Sequence, residues 1–243
     1  MTSDFVLPPL IAHRGASGIA PENTLMAFAT AQQLGAKWVE FDVMLTQDNM
    51  AIVHHDDTFA RILGLNQTVH QMSYADIKTC DAGSWLDKKF SFVRIPTLAQ
   101  TLSCCADLGL SLNIEIKTTA AFAKATAEET LAVLSKFNFY HPENVLISSQ
   151  EPLALSTVYQ QAPAYRLGLV ADNWADVDAA LSLDFKLYSL NLHYPMITPE
   201  KMAQVQAQQY HVLAFTVNDR ALAECLFSLG VCSVFSDDVR LLK

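Results

Sequence analysis

The sequence predicts an α/β fold in which eight parallel strands close into a barrel, and three observations carry that expectation. Short apolar runs alternate with amphipathic stretches along most of the 243 residues, the pattern of repeated strand–helix units. That length suits a single domain, residues 1–243, with a sizeable core. No glycine-rich phosphate loop follows the first strand, which separates the chain from many doubly wound nucleotide binders.

LIAHR (10–14) is the first strand. TLMAFATAQQLGA follows as a helix, capped by Asn23 or Thr24 and closed near Gly35, with Leu25, Phe28 and Ala29 on one face. KWVEFDV (37–43) is the second strand and MAIVHH (50–55) its return. Residues 58–95 are more polar and less periodic and read as an insertion, with a capping box at Ser73–Asp76. From there the alternation resumes: helix 96–109, strand 110–117, a helix through AAFAKATAEETLAVLSKF, and strand 144–149. A helix entered at Pro152 leads to strand 165–171, and WADVDAALSL to strand 186–192. PEKMAQVQAQQ leads to strand 211–217, and DRALAECLFSLG to the last strand, 231–236.

These nine runs are one too many for a (β/α)8, or TIM, barrel. A parallel crossover needs about a dozen residues, and the turn Gln47–Asp48–Asn49 is far shorter. The 50–55 arm is therefore antiparallel to its predecessor, a hairpin outside the parallel set.

The chain is 51% hydrophobic and carries a formal charge of −9, which argues against a nucleic-acid or anionic-membrane binder. A small anionic substrate stays compatible with that charge, because a few cations can make one pocket locally positive. No run reaches the roughly 20 apolar residues of a membrane span, and the first residues lack a basic segment followed by an apolar one, so no secretory signal is expected. Five cysteines without a CxxC pair suit cytoplasmic thiols packed as small hydrophobes.

Active sites of such barrels form at the C-terminal strand ends. There the first strand carries His13 and Arg14, the second Glu40 and Asp42, and the third Glu115 and Lys117. Side chains two apart on a strand share a face, so Glu40 and Asp42 are like charges held together, destabilising unless a cation sits between them. A salt-bridge network is the competing reading, although buried ion pairs stabilise weakly. A divalent cation on Glu40, Asp42 and Glu115 accounts for them better, and an all-oxygen set favours Mg2+ or Ca2+ over Zn2+. By strand alternation His54 faces away from His55 and is structural. His70 and His141 are expected to be exposed in loops, and His211 to be structural at the opposite barrel end. His193 and Asn191 are left open as candidates for the pocket mouth.

HRG at 13–15, APENT at 20–24, EFDV at 40–43, HD at 55–56 and EIK at 115–117 together resemble the glycerophosphodiester phosphodiesterase family. DAGSW at 81–85, PTL at 96–98, SS at 148–149, TVND at 216–219 and SD at 236–237 extend the likeness over nearly the whole chain, most of all to cytosolic bacterial members. The resemblance implies a TIM barrel, a divalent metal, and hydrolysis of glycerophosphodiesters to sn-glycerol 3-phosphate and an alcohol. It implies His13 and His55 as the general acid–base pair, and Glu40, Asp42 and Glu115 as metal ligands. Arg14 and Lys117 would hold the phosphate oxygens. Gln150 and Phe215 stand where many relatives have an aromatic and a tryptophan, so the wall around the glycerol or leaving group, Phe215 included, differs. A head-group phosphodiesterase acting on a lipid or inositol phosphate, and a non-catalytic glycerophosphodiester-binding barrel, are the alternatives. Oligomeric state is not legible from the sequence.

Overall fold

Among the described residues nine strands form one sheet whose order closes on itself: β1 (Leu10–Ala12) pairs in parallel with both β2 (Trp38–Leu45) and β9 (Ser233–Ser236). The computed structural model describes residues 5–243. Between those ends run β4 (Ser111–Ile116), β5 (Val145–Ser149), β6 (Arg166–Ala171), β7 (Ser189–His193) and β8 (His211–Phe215), all parallel to their neighbours. The exception is β3 (Ala51–Val53), antiparallel to β2 in the register Val43↔Val53 through Leu45↔Ala51. The result is the closed eight-stranded parallel barrel expected from the strand count, with the hairpin arm outside it.

The period-two rule explains what lies on each side of the barrel wall. On β2, Val39, Phe41 and Val43 join the main core between strands and helices. The alternate residues, Trp38, Glu40 and Asp42, point into the barrel, and Trp38 joins Ile11, Leu146, Leu213 and Phe235 in an apolar cluster drawn from the strands alone. Buried carboxylates above an apolar plug are costly to leave unpaired, so their retention there is itself a sign of function.

The ladder ends earlier than the apolar pattern at the positions that matter. The first strand stops at Ala12 because Arg14 and Gly15 take left-handed φ values of 54° and 81°. A Cβ at Gly15 would lie 2.7 Å from Ala27, so only glycine fits that approach. Likewise β3 ends at Val53, placing His54 and His55 just past the ladder.

The helices keep to their sequence signals. Thr24, rather than Asn23, caps α1 (Leu25–Gln33) by accepting from the Ala27 N–H. Thr97 and Gln100 form a reciprocal capping box on α4 (Leu98–Asp107). Then α5 (Ala123–Leu134), α6 (Pro152–Gln161), α7 (Trp174–Ala180), α8 (Pro199–Ala207) and α9 (Arg220–Ser228) cover the barrel. No helix among the described residues is long and apolar enough to cross a membrane.

After the hairpin come the short helices α2 (Ala60–Leu63) and α3 (Tyr74–Ile77). The inserted stretch has its own apolar cluster, in which Phe59, Ile62, Val69, Ile77 and Ile95 pack on Met44 and Ile52 of the hairpin. One expectation is corrected here: His70 is not exposed but half-buried, stacked on Phe122 with ring centroids 3.6 Å apart. That stack joins the insertion to the loop after β4.

Candidate active site

A cavity of about 330 Å3 opens at the C-terminal end of the barrel, and His13, Arg14, Glu40, Asp42, His55, Glu115, Lys117 and Phe215 all line it. The eight residues singled out from the sequence thus meet in one place. Asn191 and His193, left open above, also line it, as does Gln150. His54 lies outside it, buried against Phe59, with Nε2 3.2 Å from the Thr58 carbonyl.

Parallel register brings the carboxylates together: Asp42 is the partner of Glu115 across β2 and β4, and Glu40 is the partner of Asn113. One oxygen from each of Glu40, Asp42 and Glu115 lies within 4.8 Å of the others. Each has neutral or cationic support on one side. The Arg14 backbone N–H donates to Glu40 Oε2 at 2.9 Å, and Asn23 Nδ2 donates to Asp42 Oδ2 at 2.8 Å. Arg14 Nε stands 3.5 Å from Asp42, and Lys117 Nζ stands 3.5 Å from Glu115.

Electrostatics separate the three acids. Burial, then the charges of Asp42 and Glu115, pushes Glu40 well above the ordinary glutamate range. Burial and Asp42 raise Glu115 as well, against the pull of Lys117. Burial also works against Asp42, but Arg14, His55 and Lys117 outweigh it and hold that carboxyl below its ordinary value. Three clustered acids, two of them pushed toward the neutral form despite the nearby Arg14 and Lys117, are short of counter-charge. An all-oxygen donor set of this kind could hold a hard divalent cation, and the chemistry of the residues fits one.

Both cavity-lining imidazoles of this half are anchored in the same way. His13 Nδ1 lies 2.7 Å from Asp237 Oδ1, and His55 Nδ1 lies 2.8 Å from Asp56 Oδ1. A carboxylate only accepts, so each neutral ring carries its proton on Nδ1 and offers Nε2 as the free nitrogen. Asp237 is further held by Ser17 Oγ and Asn218 Nδ2, at 2.8 and 2.7 Å. Burial opposes its charge, but these donors and His13 bring its pKa down to about 2.

Several of these partners were not singled out from the sequence. Asp56, Asp237 and Glu22 sit inside recognised motifs, yet nothing local says which side chain each will meet. Asn23, one of the two candidate caps, takes φ 57° and makes a reciprocal contact with Asp42, its Oδ1 accepting from the Asp42 N–H at 3.3 Å. Arg61, which donates to both Asp56 and Glu22, carried no signal at all.

Across the cavity the lining changes character. His193 and Phe215 stack with centroids 5.8 Å apart, and His193 and Tyr194 meet edge to face at 5.5 Å. Val170, Asn191 and Phe235 complete that wall.

Comparison with known proteins places this arrangement. The family model described as the glycerophosphoryl diester phosphodiesterase family matches residues 13–241. A glycerophosphodiester phosphodiesterase of Caldanaerobacter subterraneus subsp. tengcongensis is 33% identical over 229 residues, covering 94% of this chain and 93% of that protein. Among solved structures, an Oleispira antarctica phosphodiesterase in complex with the product sn-glycerol-3-phosphate superposes with a TM-score of 0.89. It is 33% identical, with 97% of this chain and 95% of that one covered. A Thermotoga maritima glycerophosphodiester phosphodiesterase, 23% identical at a TM-score of 0.73 over 97% and 96% of the two chains, shares the fold.

Proposed function

The chain belongs to the glycerophosphoryl diester phosphodiesterase family, and from that premise we propose that it hydrolyses glycerophosphodiesters such as glycerophosphocholine and glycerophosphoethanolamine. The products would be sn-glycerol 3-phosphate, the molecule bound in the Oleispira antarctica relative, and a free alcohol. The observation that carries this reading is the pair of Nδ1-anchored imidazoles beside three clustered carboxylates in one cavity.

Glu40, Asp42 and Glu115 are the residues that would hold a divalent cation, Mg2+ or Ca2+. Such an ion, when bound, neutralises charge on phosphate oxygens and so makes phosphorus more open to attack. Arg14 and Lys117 bind the non-bridging oxygens. The Arg14 guanidinium is tethered to Glu22 through Nη1 at 2.8 Å and faces Asp42 through Nε at 3.5 Å, which leaves Nη2 for the substrate. Holding the anion in a half-buried cavity makes each of these contacts stronger than it would be in water.

His13 and His55 move the protons. One ring takes the proton of the attacking hydroxyl on its free Nε2, and the other, protonated, gives its Nε2 proton to the departing alkoxide. Asp237 and Asp56 steady the positive charge each ring carries in turn. The P–O bond to the alcohol breaks as the new P–O bond forms, and one water is consumed overall. Phe215, with His193 and Tyr194, faces the alcohol or glycerol part as a wall of rings. A cytoplasmic location is consistent with the five cysteines, which are unpaired, and cell fractionation tests it.

The deciding experiment assays a panel of glycerophosphodiesters after chelation and after add-back of Mg2+ or Ca2+, measuring released sn-glycerol 3-phosphate. Turnover that vanishes on chelation and returns with one of these ions supports the reading. No turnover of any substrate with either ion would sink it.

A further inference from the structure

Arg61 stands on α2, in the insertion and outside the cavity lining, yet it is tied to the site twice. Its Nε and Nη2 donate to the two oxygens of Asp56 at 2.8 and 3.0 Å, and its Nη1 and Nη2 to those of Glu22 at 2.7 and 2.8 Å. Both acceptors also reach inward. Asp56 holds His55 Nδ1, and Glu22 accepts from Arg14 Nη1. The guanidinium lies 5.2 Å from the Trp85 ring, so it is also held from the insertion's side.

This is more than a surface ion pair, whose worth is small. Two forked pairs share one planar cation, the geometry in which arginine is strongest and which a lysine ammonium reproduces only in part. The acceptors are well covered: their side chains are only 11% and 25% exposed for Glu22 and Asp56. Without the cation between them, Asp56 and Glu22 would repel and turn toward water, and the His55 ring and the Arg14 fork would lose their anchors together.

We propose that Arg61 is a positioning residue for the hydrolysis, fixing His55 through Asp56 and Arg14 through Glu22, so that the insertion is a working part of the site. The proposal rests on the roles assigned above to His55 and Arg14. Losing an outer partner of a metal ligand typically costs about 10–100-fold, and by the same logic Arg61→Ala is expected to lose about that much in kcat/KM.

The test is a pair of double-mutant cycles on the full-length chain loaded with its activating cation, with thermal unfolding followed in parallel. Because Arg61 acts through its acceptors, adding Arg61→Ala to Asp56→Asn should lower kcat little further, and adding it to Glu22→Gln should raise KM little further. Arg61→Lys should fall between the parent and Arg61→Ala, and it replaces Arg61→Ala in the cycles if the latter does not fold. The proposal is overturned if the Arg61 variant keeps turnover within about twofold, or if its losses simply multiply with those of both acceptor variants. His55→Ala separates the two failures. If that variant retains turnover, the assignment of the histidines is wrong. If it is dead while Arg61→Ala is active, only the present proposal fails.

Discussion

The two halves of the cavity differ in kind. From β1 to β4 the lining is rich in ionisable groups, and they are paired: Arg14 with Glu22 and Asp42, Lys117 with Glu115, His55 with Asp56. From β6 to β9 the lining is Val170, Asn191, His193, Tyr194, Phe215, Thr216 and Phe235, with stacked rings in place of ion pairs. Removing one member of the first half strands a buried partner, which is costly. Trimming the second half changes shape and leaves no charge unpaired. The contrast teaches that bond breaking and choice of alcohol should be separable by mutation.

The strongest way to break the contrast is at the imidazoles. His13→Ala or His55→Ala is expected to lower turnover by about 100–10,000-fold, the range for general acid–base groups, while the folded chain persists by circular dichroism. Near-parent release of sn-glycerol 3-phosphate from either variant would dissolve the distinction between the halves. Next comes Lys117→Met, which removes the cavity cation proposed to hold the phosphate and should cost about a hundredfold in kcat/KM.

Phe215→Ala probes the other half. It should keep kcat within about tenfold while shifting the kcat/KM ratio between choline and ethanolamine diesters by a similar factor. A uniform loss across substrates would instead mark Phe215 as part of the reacting half.

Glu40→Gln asks whether the acid cluster is held for a cation. It removes a charge that burial and two like-charged neighbours oppose. The chelated variant should therefore melt about 2–4 °C above the chelated parent, for roughly 1 kcal/mol relieved. Added Mg2+ or Ca2+ should stabilise the parent and not the variant. Equal stabilisation of both would remove Glu40 from the site.

The smallest effect concerns Asp237, whose pKa is lowered from 3.8 to about 2. A depressed carboxylate stabilises the fold above its unfolded pKa, and that contribution is lost as pH falls through the folded value. The melting difference between parent and Asp237→Asn should thus be full above about pH 4 and close toward pH 2. A constant difference across that window would show that the Asp237–His13 bond contributes nothing ionic.

The hairpin shows how far sequence reasoning reaches. Glu40 and Asp42 were legible because a strand repeats every two residues and charges do not belong on its inner face. The short turn after β2 made its return arm antiparallel, and alternation along that arm separated His55 from His54. Each of these inferences uses neighbours within about twenty residues and the local geometry of a strand.

What the sequence by itself determined, then, is the alternation of elements, the strand ends that carry ionisable groups, and the motif set that marks the family. Only the tertiary structure decided which carboxylate faces which ring. Asp237 reaches His13 across 224 residues of chain because β9 closes against β1, and of the two candidate caps Thr24 caps the helix while Asn23 partners Asp42. Arg61 became visible only once the insertion had packed on the hairpin and brought it between Glu22 and Asp56. The physical reason is common to all three. Backbone periodicity is a local property written in residue spacing, whereas a side-chain partnership depends on barrel closure and loop packing, to which every element contributes.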